Sequence, residues 1–270
     1  MAELVWLIPL GVAIGALGTL MGAGGGFLLV PLLVLLYPAM PADVVTAVSL
    51  TVVFFNALSG SIAYARMGRI DYPAALLFAA AGTPGAILGA MSTAYVPRRT
   101  FDAIIGAVLL ATSVFLILRP GGMRREAPAG AAGDVRPATP AYRTPRKMAL
   151  GATLSTGVGF LSSLLGIGGG IIHVPVLVGL LRFPVHVATA TSHMILAILA
   201  LAGVLVHVSS GTFASGAWET IGLAAGVVVG AQVGAAVSPR VGGRWIMRGL
   251  ASALGLVAIR ILAMAGGLWR

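Results

Sequence analysis

Apolar stretches of about 20 residues recur from one end of this chain to the other, and no other feature constrains its fold as strongly. Each is long enough to cross roughly 30 Å of hydrocarbon as a helix. The stretches are continuous and do not alternate with polar residues, which favours helices over the strands of a barrel. Of the 270 residues, 59% are hydrophobic and 9% are charged, too few charges to cover a soluble domain. The sequence therefore predicts an all-α integral membrane protein.

The charged residues exclude several functional classes. A net charge of +10 would suggest nucleic-acid binding in a soluble protein, but here the arginines lie between apolar stretches, where they set topology. We expect no nucleic-acid partner.

Motifs for catalysis and metal binding are also missing from the sequence. Cysteine is absent, the four histidines lack metal-binding spacing, and neither glycine-rich segment has the Lys and Ser/Thr of a phosphate-binding loop. The sequence thus predicts no enzyme activity, no metal site and no cofactor.

The chain contains two copies of one unit. Residues 22–36 match residues 166–180 at a constant offset of 144, and nine of the fifteen positions are identical. Between the copies lies a segment with five prolines and five arginines, typical of a flexible, basic, solvated linker. We divide the chain into a first transmembrane repeat (1–119), a linker (120–146) and a second transmembrane repeat (147–270).

The first apolar block of each copy, 4–38 and 148–183, is too long for one span and has a glycine-rich centre. It could be one broken helix or a hairpin of two short helices. The hairpin places thirteen basic residues on the linker side and three on the other, the larger asymmetry and the one that the positive-inside rule favours. The prediction is therefore two inverted repeats of about five helical segments each, with the first two segments of each repeat forming a glycine-broken hairpin of short helices. The linker is then cytoplasmic, and both termini lie on the opposite side.

The glycine-rich breaks are the first candidate binding site. A helix that begins at a glycine turn leaves free N–H groups, which together with the helix dipole attract an anion without any formal charge. The alternative is that the glycines only permit close helix packing. The candidate substrate-binding glycines are Gly22, Gly24, Gly25 and Gly26 in the first repeat, and Gly166, Gly168, Gly169 and Gly170 in the second.

Polar side chains inside the apolar blocks are the second group of candidates. Ser49 and Asn56 are seven residues apart and share a helix face, and Ser192 corresponds to Ser49. His173 and His193 titrate near neutral pH in their free form, so they could contact an anion or relay a proton. The alternatives are interhelical hydrogen bonding for Ser49, Asn56 and Ser192, and a satisfied neutral ring for each histidine.

Three other features have structural interpretations. Pro31 and Pro175 lie inside the second short helices and are expected to kink them. Arg260 lies inside the last apolar block, where it either snorkels to the surface or serves as a buried counter-charge. Glycines with four-residue spacing predict close helix packing; they are Gly85 and Gly89, and Gly222, Gly226, Gly230 and Gly234.

The repeated GxGGGxxxVP motif, at 22–31 and 166–175, resembles that of the TauE/SafE family of sulfite exporters, also called the TSUP family. The segment from Tyr64 to Asp71 and the block around Ser49 support the resemblance, which covers nearly the whole chain apart from the linker. It implies a multi-pass permease of the bacterial inner membrane for anions such as sulfite, sulfoacetate, thiosulfate or other organic acids. Direction and substrate vary within the family, so they do not transfer.

These observations predict a secondary transporter of a small anion that works by alternating access, with the two repeats rocking around the breaks. A proton is the hypothesised coupling ion. A passive anion channel and a membrane scaffold without transport are the alternatives. The expected partners are the anionic substrate and the lipid bilayer, and a monomer and a homodimer both remain open.

Overall fold

A computed structural model of the protein describes residues 2–118, 144–212, 217–240 and 243–265. Every regular element within these ranges is helical, as predicted. Most of the predicted linker, 120–146, lies outside them. The ten α-helices are α1 Ala2–Met21, α2 Gly26–Leu36, α3 Ala42–Arg66, α4 Tyr72–Thr93, α5 Arg98–Leu118, α6 Pro145–Leu165, α7 Gly170–Pro175, α8 Val185–Ser209, α9 Ala217–Val237 and α10 Gly243–Ala265. Helix α7 continues as a π-helical segment, Val176–Leu180.

Five helices in the described part of the chain are long and apolar enough to cross a membrane. They are Ala42–Arg66, Tyr72–Thr93, Pro145–Leu165, Val185–Ser209 and Trp218–Val237. Large apolar side chains also cover the outer surface; Trp6, Leu88 and Leu205, for example, are exposed. Water would penalise such a surface and hydrocarbon does not. The fold is that of an integral membrane protein.

Both predicted interruptions are present. Four residues separate the end of α1 from the start of α2, and four separate the end of α6 from the start of α7. In each gap three glycines adopt positive φ, between 69° and 80°, a region that side chains with a Cβ rarely occupy. The turn folds the chain back onto α1. A Cβ built at Gly25 would lie only 2.8 Å from the Ile14 side chain, which shows how close the two segments are. We call residues 22–26 the first glycine break and residues 166–170 the second glycine break.

The prediction of two short helices per hairpin holds only for the second helix of each pair. Helix α2 has 11 residues, but α1 has 20 and α6 has 21. The apolar segment before each break is already long enough for a nearly full span, at 1.5 Å per residue. Only the helix after each break is short, because the chain soon turns into the next loop.

Corresponding helices of the two repeats pack against each other. Helix α3 crosses α8 with Leu50 beside Gly203 and Gly60 beside His193, so the residue numbers run in opposite directions. Helix α5 also runs opposite to α10. Ser113 donates a hydrogen bond to the Ala251 carbonyl, and Gly106 lies beside Leu262. Both pairs are therefore antiparallel.

Glycine ladders allow the closest helix contacts, as their four-residue spacing predicts. On α9, a Cβ at Gly226, Gly230 or Gly234 would overlap a backbone carbonyl of α1. On α4, a Cβ at Gly85 or Gly89 would overlap a carbonyl of α6 in the same way. Backbone contact of this kind is how small residues join membrane helices. The ladders bind the first helix of each repeat to the fourth helix of the other.

The two prolines behave differently. Helix α2 stays α-helical past Pro31, whereas α7 changes to the π-helical segment directly after Pro175. Proline has no N–H and removes one bond from the helix ladder. Near the chain's end, the side chain of Arg260 is exposed on α10, which fits snorkelling and not a buried counter-charge.

Candidate functional site

The two glycine breaks touch each other inside the protein. A Cβ at Gly26 would lie 2.8 Å from the Gly166 carbonyl oxygen, and a Cβ at Gly170 would lie 2.5 Å from the Gly22 carbonyl oxygen. Residues 22–26 and 166–170 are all buried. All eight candidate glycines therefore lie together at one place, where only residues without side chains allow backbone to meet backbone.

Each break leaves backbone N–H groups without a partner. At the start of α2, the amides of Gly25, Gly26 and Phe27 donate no hydrogen bond within the described residues. Helix N-termini carry partial positive charge, and these donors would suit an anion. At the start of α7, the equivalent amides of Gly169, Gly170 and Ile171 likewise donate no hydrogen bond to any described residue.

Two serines connect each break to the opposite repeat. The hydroxyl of Ser49 donates to the Gly166 carbonyl at 2.7 Å, and the hydroxyl of Ser192 donates to the Gly22 carbonyl at 3.2 Å. Both serines are fully buried. Their bonds are of the interhelical kind, and each serine holds the carbonyl at the first residue of the turn. Ser49 and Ser192 therefore position the breaks through direct contact.

Apolar side chains cover the same breaks. Val53 lies against Gly26 and Gly168, and Leu196 lies against Gly24. Both side chains are fully buried, so they keep the unpaired amides out of bulk water in this structure. Electrostatic attraction between N–H dipoles and an anion is stronger in such surroundings than in water. These two residues were not predicted, because an apolar residue in an apolar helix gives no signal in the sequence.

A polar cluster lies beside the first break, and two predicted residues belong to it. The Thr19 hydroxyl donates to Asn56 Oδ1 at 3.2 Å, and His193 Nε2 lies 3.2 Å from the same hydroxyl oxygen. Because that hydroxyl gives its proton to Asn56, it accepts from His193 Nε2–H. The Tyr64 hydroxyl donates to the Thr19 carbonyl at 2.8 Å, and its ring packs edge-on against His193 with centroids 5.5 Å apart.

Two side-chain donors near the breaks, Nδ2 of Asn56 and Oγ1 of Thr46, have no partner in the described structure, and both residues are fully buried. Nδ1 of the buried His193 is a third atom there without a partner. Thr46 packs directly on Gly166. Leaving a buried donor unpaired costs about 1–3 kcal/mol. Such donors next to free backbone amides make this place the candidate binding site.

A second polar cluster surrounds His173, the other predicted histidine. His173 Nε2 lies 3.0 Å from the Ser155 hydroxyl oxygen, and Nδ1 lies 3.3 Å from the Gly169 carbonyl oxygen. The Ser155 hydroxyl is also 2.6 Å from the Phe78 carbonyl oxygen, to which it can donate. This cluster joins α4, α6 and α7 directly behind the second break.

The structure thus brings all thirteen predicted residues into the buried centre, in three groups. The glycines, Ser49 and Ser192 meet at the breaks, Asn56 and His193 lie beside the first break, and His173 lies behind the second. Sequence reasoning missed Thr19 and Ser155. A hydroxyl that bonds across two helices has no spacing signature, so nothing in the sequence distinguishes either from a packing residue.

The centre contains no formal charge. Among the described residues, Asp71 at the N-cap of α4 is the one buried residue with a charged side chain. The ion pair between Arg98 and Asp102 (2.9 Å) lies at the first turn of α5, away from the breaks in sequence. No three His, Cys, Asp or Glu side chains of the described ranges group together as a metal site would require. Dipoles and hydroxyls are therefore what the site offers to a solute.

Comparison with known proteins gives a consistent result. Residues 7–261 match the sequence model of the family described as Sulfite exporter TauE/SafE. The probable membrane transporter protein YunE of Bacillus subtilis is 31% identical over 245 residues, which cover 87% of this chain and 88% of the relative. A probable membrane transporter protein of Methanocaldococcus jannaschii is 30% identical over 220 residues, or 78% of this chain and 76% of the relative. No solved structure matches.

Proposed function

The chain belongs to the sulfite exporter TauE/SafE family, and we propose that it is a secondary transporter that carries a small anion across the membrane. The substrate class is a sulfur-containing or small organic acid anion, such as sulfite, thiosulfate or sulfoacetate. Relatives over most of the chain are named probable membrane transporters, which supports transport over an enzymatic role. The family description mentions sulfite, which supports the sulfur oxyanions as the first substrates to test.

The observation that carries the proposal is the meeting of two helix starts with unpaired amides in the buried centre. Three N–H groups at α2 and three at α7 lack a partner within the described residues, and Asn56 Nδ2 is unpaired beside them. Helix N-termini bind anions through such groups and through the macrodipole. Because no fixed cation neutralises the anion permanently, a bound anion can also leave, which transport requires.

We propose that the two repeats are inverted relative to each other. The antiparallel packing of α3 on α8 and of α5 on α10 supports this arrangement, because these helices occupy the same place in each repeat. The reciprocal hydrogen bonds of Ser49 and Ser192 support it as well. Inverted repeats give two related conformations that open to opposite sides. Alternating access then follows from one repeat rocking against the other across the glycine contacts.

The proposed location is the bacterial inner membrane, with the linker in the cytoplasm and both termini on the other side. The asymmetry of arginines along the sequence supports this orientation. Reactivity of single cysteines toward a membrane-impermeant reagent tests it cleanly, because the protein has no cysteine of its own. A cysteine introduced in the linker of cells with intact membranes should be protected, and one at the C-terminus should react.

Flux into proteoliposomes tests the transport function. Purified protein should take up radiolabelled sulfite, thiosulfate or sulfoacetate with saturable kinetics, and protein-free liposomes serve as the control. Unlabelled anion trapped inside should accelerate the entry of labelled anion, because a carrier exchanges substrate across the membrane. Uptake without saturation or exchange would instead indicate a passive channel. Absence of uptake for these anions and for small carboxylates would favour a scaffold.

A further inference from the structure

The surroundings of His173 contain a conflict among hydrogen bonds that one additional proton removes. Three contacts link Ser155 and His173 to each other and to two carbonyls: the Gly169 carbonyl to Nδ1 (3.3 Å), the Ser155 hydroxyl to Nε2 (3.0 Å), and the Phe78 carbonyl to the Ser155 hydroxyl (2.6 Å). Each of the three contacts needs one proton between its two heavy atoms. A neutral ring and one hydroxyl together supply only two.

Neither neutral tautomer satisfies the cluster. With the proton on Nε2, the ring donates to Ser155 and the hydroxyl donates to Phe78, but the Nδ1 lone pair then faces the Gly169 carbonyl. With the proton on Nδ1, the ring donates to Gly169, but the Ser155 hydroxyl cannot donate to both Nε2 and the Phe78 carbonyl. One pair of acceptors remains without a proton in either case. A doubly protonated imidazolium fills all three contacts.

The cluster around His193 behaves differently and provides an internal comparison. There the Nε2–H tautomer donates to Thr19, and Thr19 donates to Asn56 Oδ1. A single ring proton completes that chain, and His193 Nδ1 faces no carbonyl that would call for a second one, since it has no hydrogen-bond partner in the described part of the chain. The need for an added proton is thus a property of His173 and its two carbonyl neighbours, and not of buried histidines in this protein generally.

We propose that His173 is the binding site of a proton that travels with the anion, an inference that rests on the transport function proposed above. The ring belongs to α7, four residues after Gly169, whose carbonyl accepts the Ile172 and His173 amides and lies 3.3 Å from Nδ1. The unpaired amides of the second break lie at the start of the same short helix. An imidazolium there is a buried charge without an ionic partner, which is costly, and a bound anion supplies the opposite charge. Proton and anion therefore strengthen each other's binding, and the effect is reciprocal.

The proton balance of the cycle is simple. A hydronium ion on one side of the membrane gives a proton to the free ring nitrogen while the anion binds at the break. On the other side the anion leaves, and the imidazolium returns one proton to water. No other bond forms or breaks.

Few ionisable groups surround His173. Its own helix and the π-helical segment carry none besides the ring itself. Helix α6 carries Arg146 and Lys147 in its first turn, and α4, reached through Ser155, has Tyr72 in its first turn and Asp71 at its N-cap. Helix α8 carries three histidines, His186, His193 and His207. Between Met148 and Leu181 there is no charged residue, so the pH response at this position belongs to the His173 ring.

The test uses proteoliposomes with an entrapped pH dye, with the membrane potential clamped at zero by potassium and valinomycin. Thiosulfate and sulfoacetate are the probes, because their acid groups are ionised near neutral pH and take up no proton there. With wild-type protein, adding the anion outside should acidify the interior. A gradient of about one pH unit should produce about tenfold accumulation. The variant His173→Gln should still exchange anion but neither acidify the interior nor accumulate substrate.

His173→Leu provides a second variant that is sterically suited to the fold, since Leu29 occupies the equivalent position in the first repeat. His186→Gln is the matched control, because this exposed histidine lies at the start of α8 and should leave acidification intact. Accumulation driven by the pH gradient in both His173 variants would overturn the proposal. Anion flux by wild-type protein without any proton movement would overturn it too. Absence of all anion flux would instead overturn the transport function itself.

Ser155→Ala gives a readout that a purely structural role would not move. Without the hydroxyl, the neutral Nδ1–H tautomer has no conflict and the imidazolium loses one acceptor. The midpoint of the pH profile of uptake should therefore move toward lower pH by about one unit, the equivalent of one hydrogen bond to a charged group. Ser155→Thr, which keeps the hydroxyl, should restore the midpoint. A lower rate at an unchanged midpoint in Ser155→Ala would overturn the proposal.

Discussion

Behind the second glycine break, Ser155 and His173 contact each other through a hydrogen bond, whereas the first break has Gly11 and Leu29 at the equivalent positions. Beside the first break, in contrast, it is the first repeat that supplies most of the hydrogen-bonded side chains. Thr19, Asn56, Tyr64 and His193 form a bonded cluster there, and the positions equivalent to the first three are Ser163, Leu199 and His207. The Ser163 hydroxyl and His207 Nε2 have no partner in the described structure.

The comparison separates what the duplication preserved from what it allowed to change. The turn geometry, the unpaired amides and the serine contacts to the opposite carbonyl occur in both repeats. These backbone features are what an anion would meet. Side-chain chemistry differs between the repeats, so the proposed anion site, built from both copies, is flanked by two unlike histidine clusters. Substitutions that copy one repeat onto the other test this division.

The largest effect is expected from adding a methyl group to either break. Gly26→Ala and Gly170→Ala each place a Cβ within 2.8 Å of the opposite backbone, which forces the breaks apart. Anion uptake should fall about a hundredfold, the typical cost of misplacing binding groups by about 1 Å. Uptake by proteoliposomes measures this. Gly157→Ala is the control, because a Cβ there meets nothing within 4 Å. Normal uptake by either break variant would show that the glycines only fill space.

The next largest effect is expected from Asn56→Leu, which copies Leu199 onto the first repeat. The variant removes the unpaired amide donor near the break, so the KM for the anion should rise about tenfold, or 1.4 kcal/mol. Concentration dependence of uptake measures it. Leu199→Met, a volume-conserving change at the equivalent position, should leave the KM unaltered. Equal KM values for the Asn56 variant and wild-type protein would place the anion elsewhere.

Smaller losses are expected from removing the two serine contacts one at a time. Ser49→Ala and Ser192→Ala each free one buried carbonyl, so the free energy of unfolding in detergent should fall by about 1 kcal/mol. The loss should be larger for Ser49, whose bond is 2.7 Å against 3.2 Å for Ser192. Ser92→Ala is the control, because its hydroxyl bonds only to the Leu88 carbonyl of its own helix. Equal stability of all three variants would mean that neither contact supports a break.

The smallest difference is expected from Tyr64→Phe, which removes the bond to the Thr19 carbonyl. The free energy of unfolding should fall by about 0.5–1 kcal/mol. His207→Phe changes the equivalent position of the second repeat, where Nε2 has no partner within the described ranges, and should cost less. A chemical denaturation series in detergent compares the two. A larger loss from the His207 variant would contradict the assignment of the bonded cluster to the first repeat alone.

Much of the fold could be predicted from the sequence, for simple physical reasons. Apolar stretches must form helices in a bilayer, because every backbone polar group there needs an internal partner. The repeated glycines predict interruptions, since few other residues tolerate the positive φ found at Gly25 and Gly169. The spacing of Gly226 and Gly230 likewise predicts the close helix contacts that are observed. These conclusions depend on local conformation or on periodicity, which a sequence displays directly.

Only the tertiary structure decided which residues meet. The contact of Gly26 with the Gly166 carbonyl joins residues 140 positions apart, and the pairing of Ser155 with His173 depends on how α6 crosses α7. The full length of α1 and the π-helical segment after Pro175 were not evident either, because both depend on what the neighbouring helices permit. The sequence by itself determined where the backbone is interrupted and which groups can bond. Packing in three dimensions determined which donors of the described residues received a partner and which remained unpaired.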